Sequence, residues 1–199
     1  MDPALPTLHA RRCRLRALDD GDLPALRVLF GDPEVVRFMD IPLLRSQADG
    51  RAFLAEVRAG LESRTLFEWG IVAGPGRSGE EVPGEVPGDV PGELIGTCTL
   101  SALDWKNRRA EVGFALRASH RGQGFMAEAL SAVIDHGFGA LGLHRVEADI
   151  DPRNAASIRL VERLGFIREG AMKERHLVAG EWQDTVFFGL LARDWQARE

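Results

Sequence analysis

The sequence predicts one α/β domain: a mixed, mostly antiparallel central sheet with helices on both faces. Three observations predict it. Residues 66–117 carry three strand-like apolar runs divided by turn residues, the pattern of an antiparallel meander. Residues 110–172 then alternate strand-like and helix-like segments, which reads as two crossover units. The chain has 199 residues and 45% hydrophobic content, enough for a single sizeable core.

Taken in order, residues 1–12 read as a flexible N-terminal extension. The first strand runs from Cys13 to Leu18, where apolar and basic side chains alternate. Asp19-Asp20-Gly21-Asp22 supplies helix caps, Pro24 suits a first turn, and Leu23, Leu26 and Phe30 recur at helical spacing. Asp32-Pro33 opens a second short helix with Val35, Val36 and Met39. Ser46 and Asp49 have capping-box spacing ahead of a helix whose apolar face is Phe53, Leu54, Val57 and Leu61.

Strands are expected at 66–73 (LFEWGIVA) and 93–102 (ELIGTCTLSA). Between them lie three tandem tetrapeptides, EVPGEVPGDVPG, over 81–92. Pro and Gly in every repeat forbid helix or central strand, so 74–92 reads as an inserted loop. AEVGFALR at 110–117 is the next strand, reached through the turn-like Asp104-Trp105-Lys106-Asn107. Met126, Ala129, Leu130, Val133, Ile134, Gly137, Phe138 and Leu141 mark one face of a helix. HRVEADI at 144–150 is a strand, and Asn154 caps a helix that Gly165 stops. Residues 166–172 form another strand. A closing hairpin pairs 176–179 with 182–191 around Gly180.

Composition excludes several classes. The net charge of -5 and pI near 5.6 argue against general nucleic-acid binding. The two cysteines, Cys13 and Cys98, sit in strand-like runs and read as buried reduced thiols. Neither CxxC nor HExxH spacing occurs, so no metal is expected. MDPALPTLHARR lacks the layout of a secretory signal, and no apolar run spans a bilayer. The expected setting is the cytoplasm, away from membranes.

The segment SHRGQGFMAEAL (119–130) carries the chemistry. A strand ends, a glycine turn exposes successive N–H groups, and a helix begins with its positive dipole end. That arrangement suits a phosphate. A P-loop is excluded because Phe125-Met126 follows Gly124 where Lys-Ser/Thr is required. The dinucleotide fingerprint GxGxxA fits Gly122 to Ala127 literally, with Glu147, Asp149 and Asp151 as acidic partners. Against it stand the spacer 118–121 before the first glycine and the late position of the motif. An NAD(P)-dependent oxidoreductase is thus the competing reading.

LRASHRGQGFMAEAL also resembles the acetyl-CoA pyrophosphate loop of the GCN5-related N-acetyltransferases (GNAT), with Arg121, Gly124 and Met126 in the pattern positions. Met126 departs from the usual small residue. IDPRNAASIRLVERLGF resembles that family's second signature and NRRAEVGFAL its central strand. GEWQDTVFFGLLARDW resembles the end of the branch that acetylates ribosomal-protein N-termini (alanine or serine). The resemblance runs from Cys13 onward and treats residues 1–199 as one N-acetyltransferase domain.

The resemblance implies a splayed, V-shaped cleft in the sheet and direct attack of an amine on acetyl-CoA. The backbone of Phe114, Ala115 and Leu116 would pair with the pantetheine arm, and Gly113 suits a bulge that opens the cleft. N–H groups of Arg121, Gly122, Gln123, Gly124, Phe125 and Met126 would hold the pyrophosphate. Asn154 and Ser157 would meet the cofactor arm. Glu111 is the expected base, its pKa raised by burial, with Glu68 second and Arg108 or Arg109 as structural partners of Glu111. The chain has no tyrosine, so Ser157 or water would protonate the thiolate. Trp69, Trp105, His176 and Trp182 would line the acceptor pocket. The acceptor would be a protein N-terminus, such as that of a ribosomal protein, or a small-molecule amine. A homodimer is compatible with the resemblance, and a non-catalytic acyl-CoA sensor is the other alternative on this fold.

Overall fold

The computed structural model describes residues 5–74 and 92–197. The repeats of the expected insertion lie outside the described residues, apart from Gly74 and the final Gly92. β1 (Leu8–His9) and β2 (Cys13–Ala17) come first. They lead to α1 (Leu23–Phe30), α2 (Pro33–Val36) and α3 (Gln47–Glu62). β3 (Phe67–Ala73), β4 (Leu94–Asp104) and β5 (Arg109–Leu116) form the meander. Then follow α4 (Phe125–Gly139), β6 (Arg145–Ile150) and α5 (Ala155–Arg163). β7 (Ile167–Val178), β8 (Glu181–Leu191) and α6 (Ala192–Gln196) close the chain.

Local chemistry sets the helix starts. Ser46 Oγ accepts the Asp49 N–H at 3.2 Å while Asp49 Oδ2 accepts the Ser46 N–H at 2.7 Å, the reciprocal capping box. Asn154 Oδ1 accepts the Ser157 N–H at 3.2 Å and starts α5. Gly165 leaves α5 with φ at 86°, a left-handed exit that favours glycine.

The sheet order is β1-β2-β3-β4-β5-β6-β8-β7, and β5 with β6 is its parallel pair. Trp69, Ile71, Leu100 and Val112 pack on one face against Ala129, Leu130 and Val133 of α4. Val72, Leu94 and Ala115 pack on the other against Leu26, Phe30 and Leu54 of α1 and α3. Each fully buried Leu or Ile there contributes about 2 kcal/mol. Cys13 and Cys98 are buried free thiols on the α4 side.

Three features differ from the sequence reading. The expected strands at 166–172 and 176–179 merge into one strand, β7 (Ile167–Val178), which crosses an irregularity between Met172 and His176. Glu174 takes φ of 49° there and donates its N–H to Asp184 Oδ1 at 2.9 Å, so pairing resumes beyond the break. No bulge occurs at Gly113, which pairs in register with Thr99. The irregularities fall instead at Ile71/Val72 of β3 opposite β4 and at Ser101/Asp104 of β4 opposite β5. β1 and α6 are elements too short to leave a periodic trace.

Candidate active site

β5 and β6 pair at three positions: Arg109 with Arg145, Ala110 with Val146, and Glu111 with Glu147. Beyond Glu111 the ladder stops, although β5 continues to Leu116 and β6 to Ile150. The sheet is splayed from this point, and divergence of the two strands opens it, without a bulge. Two cavities occupy the opening, of about 620 and about 430 Å³. They share Phe38, Met39, Phe114, Asn154 and Ser157, so they meet at the point of the V.

The smaller cavity is lined by Phe114, Ala115 and Leu116 on one side and by Arg121, Gly122, Gly124 and Met126 on another. Gly122 and Gly124 take φ of 74° and 87°, so the loop folds back and α4 begins at Phe125. α4 has no side-chain cap, which leaves the N–H groups of its first turn for a ligand. The Arg121 N–H is engaged, donating to the Ala118 carbonyl at 3.2 Å. The donors that remain are those from Gly122 onward. Arg159 and Arg163 add positive lining from α5. Gln123 and Phe125 present no side chain to the cavity. The Gln123 amide turns back to Ser119 O at 2.9 Å, and Phe125 lies beneath the Arg12 guanidinium.

Arg12, a residue with no signal in the sequence, holds this loop. Its Nη2 donates to Gln123 O at 2.7 Å, and its Nε donates to Glu128 Oε1 at 2.8 Å. A Cβ on Gly124 would stand 3.0 Å from Arg12 Nη2, so glycine serves there both for its φ and for the close approach.

The larger cavity has the opposite charge. Glu68, Glu111, Asp149 and Asp184 are among its carboxylates, and among the described residues its lining holds His176 but no Arg or Lys. Glu111 makes no ion pair among the described residues. Arg109 turns instead to Glu147 at 2.7 Å and Asp104 at 3.5 Å. Burial pushes the Glu111 carboxyl up to about 7, helped by Asp149 and Glu147 and opposed by His176 and Arg175. Asp149 holds His176 Nε2 at 3.0 Å and Arg175 Nε at 3.2 Å. Glu68 is buried, and burial pushes its carboxyl up to about 7 against hydrogen bonds from the Thr99 and Thr97 hydroxyls.

Three expected pocket residues lie elsewhere. Trp69 is fully buried on the α4 face and donates Nε1–H to Pro6 O at 2.9 Å, because the alternation of β3 turns it away from the cavity. Trp105 caps the β4–β5 turn, donating to Arg64 O at 3.0 Å under the Arg64 guanidinium. Trp182 is exposed at the hairpin. His176 does reach the cavity. Sequence reading also missed Phe38 and Met39 as lining of both cavities; Met39 was placed in the second short helix, but α2 ends at Val36, and the stretch beyond it is irregular. The alternating Thr97, Thr99 and Ser101 on β4 did leave a signal, a period of two in polar residues.

The acids that the dinucleotide reading requires are engaged. Glu147 binds Arg109 and Arg145, Asp149 binds Arg175 and His176, and Asp151 binds Arg153.

Comparison with known proteins adds independent findings. The acetyltransferase (GNAT) domain profile matches residues 12–167. An N-acetyltransferase of Bacillus licheniformis, p20, itself uncharacterised, is 31% identical over 191 residues, covering 96% of this chain and 99% of the relative. The [ribosomal protein uS5]-alanine N-acetyltransferase of Escherichia coli is 37% identical over 84 residues, 42% of this chain and 43% of that protein. Among solved structures, spermidine N-acetyltransferase from Vibrio cholerae, in complex with CoA and spermine, superposes with a TM-score of 0.75. The match covers 93% of this chain and 98% of that one at 20% identity, and speaks for the fold.

Proposed function

The chain belongs to the acetyltransferase (GNAT) family and is an N-acetyltransferase; from that premise we propose that it transfers acetyl from acetyl-CoA to a cationic primary amine by direct attack in a ternary complex. The observation that carries this reading is the abrupt end of the β5–β6 ladder after Glu111, with a basic cavity on one side of the opening and an acidic one on the other.

The residues present fit CoA. The unpaired β5 edge at Phe114, Ala115 and Leu116 suits an amide-bearing arm, as in strand addition. The N–H groups from Gly122 to Met126, with Arg121 beside them, suit a diphosphate. Bound there, acetyl-CoA supplies a thioester carbonyl open to a nucleophile. Asn154 and Ser157, shared by both cavities, stand where the two reactants meet. Glu111 takes the proton of the acceptor's ammonium, since its raised pKa keeps it a usable base near neutrality. Ser157 or water returns a proton to the departing sulfur, there being no tyrosine in the chain. Holding both reactants in one opening supplies the proximity that a step without a covalent enzyme intermediate needs.

The acidic lining favours an acceptor carrying positive charge, either a peptide N-terminus rich in basic residues or a small polyamine. We assign the working unit to the whole chain, 1–199, acting in the cytoplasm. The relatives' substrates, uS5 alanine and spermidine, mark the range to be screened. CoA release measured with a panel of amines and N-terminal peptides tests the proposal. Turnover is expected with cationic acceptors and not with acidic-start peptides. Tight acetyl-CoA binding without thiol release for any acceptor would identify a sensor instead.

A further inference from the structure

Resting on the acyl-transfer reading above, we propose that Glu68, acting through the Thr99 hydroxyl, is a second proton acceptor for the incoming amine. Glu68 and Thr99 are register partners across β3 and β4, and Thr99 is the register partner of Gly113 on β5. Alternation places all three on the sheet face that carries Glu111, and all line the larger cavity. Gly113 has no side chain, so nothing on β5 stands between Thr99 and the opening beside β6.

Glu68 is 7% exposed and makes no ion pair among the described residues. Thr99 Oγ1 donates to its Oε2, and Thr97 also donates to it. A buried carboxylate without a cation is costly, and an apolar residue would serve the core better. The ammonium of the acceptor is the cation that completes the arrangement. Glu68 and Glu111 are the two cavity carboxyls raised to about 7.

The stoichiometry asks for two acceptors. An ammonium sheds two protons on becoming an amide nitrogen. The Glu111 carboxylate removes the first, and the nitrogen lone pair forms the N–C bond to the acetyl carbonyl carbon. The C–S bond breaks with its electron pair on sulfur. The second nitrogen proton passes to Thr99 Oγ1 as the hydroxyl's own proton moves to Glu68 Oε2. Ser157 or water gives its proton to the sulfur and is reprotonated by Glu111. Ammonium plus thioester thus gives amide plus thiol, with one proton left on Glu68 for solvent.

Other titratable groups face the same space. Asp40, Asp49 and Glu56 do so from the α3 side, Asp149 from β6 and Asp151 just beyond it, His176 from β7 and Asp184 from β8. Behind Glu68, burial pushes the Cys98 thiol well up, out of the working range.

The test is log kcat against pH at saturating substrates. The acid limb is expected to approach a slope of about two in the wild type and about one in Glu68→Gln and Thr99→Val, since each required base adds one ionisation. Each variant should lose about 10²-fold in kcat, the double variant no more than either, and Thr99→Ser should restore the rate. Calorimetry of spermidine binding without acetyl-CoA, in two buffers of different ionisation enthalpy, gives a readout apart from turnover. Proton release on binding should fall in Glu68→Gln. An unchanged kcat, unchanged proton release, or a lost kcat with the slope still near two would overturn the proposal while leaving acyl transfer standing. A wild type that turns over no amine overturns both readings.

Discussion

A carboxylate that works as a base near neutrality must be partly buried, outside any direct ion pair and still open to the nucleophile. Glu111 meets these conditions because Arg109, its neighbour two positions back on the same face, is drawn off to Glu147 and Asp104. Its raised pKa has a definite sign: the carboxyl is protonated below about 7 and is a base above it. Wild-type kcat is therefore expected to fall as pH drops through that range. Glu111→Gln should lower kcat by about 10²-fold with the acetyl-CoA Kd unchanged. Single-turnover rates from acid to alkaline pH check both, and an undiminished rate in the variant removes Glu111 from the chemistry. At this scale the resemblance placed Glu111 and His176 at the opening, and both line the larger cavity. Trp69 was expected there too and faces away, because one residue of register decides which face a strand side chain takes, and that register belongs to the partner strand.

Helix starts and stops were legible for a different reason. The capping bonds of Ser46 with Asp49 and of Asn154 with Ser157 span three residues, so the sequence carries both partners within one turn. The glycine turn ahead of α4 was legible on the same ground. Its anchor was not: Arg12 reaches Gln123 and Glu128 from more than a hundred residues away. Arg12→Ala should free the loop and raise the KM for acetyl-CoA about tenfold, since one charge-assisted hydrogen bond contributes about 1.5–3 kcal/mol, while kcat stays close to wild type. Steady-state kinetics with acetyl-CoA varied at saturating amine reads the split. A fall in kcat with KM unchanged would place Arg12 in the reaction rather than in the loop's support.

At the scale of the molecule, a net charge of -5 conceals a division. The smaller cavity of the opening carries Arg121, Arg159 and Arg163, and the larger carries carboxylates with no Arg or Lys among the described residues. Such a field attracts a cationic acceptor and is screened by salt. The KM for spermidine should rise several-fold between about 0.05 and about 0.5 M salt with kcat little changed. A KM indifferent to salt would mean that apolar contacts with Phe38, Met39 and Phe114 dominate recognition. By itself the sequence determined most of the element order, the helix caps and the glycine turn at the start of α4, because period, turn chemistry and left-handed glycine positions are short-range properties. Only the tertiary structure decided that β8 inserts between β6 and β7 and that β5 and β6 part after three pairs. Only it brought Glu68, Thr99, Glu111, Asp149 and Ser157 around one opening. Those outcomes depend on pairing between strands far apart in the chain, where no local pattern records which partner, register or face prevails.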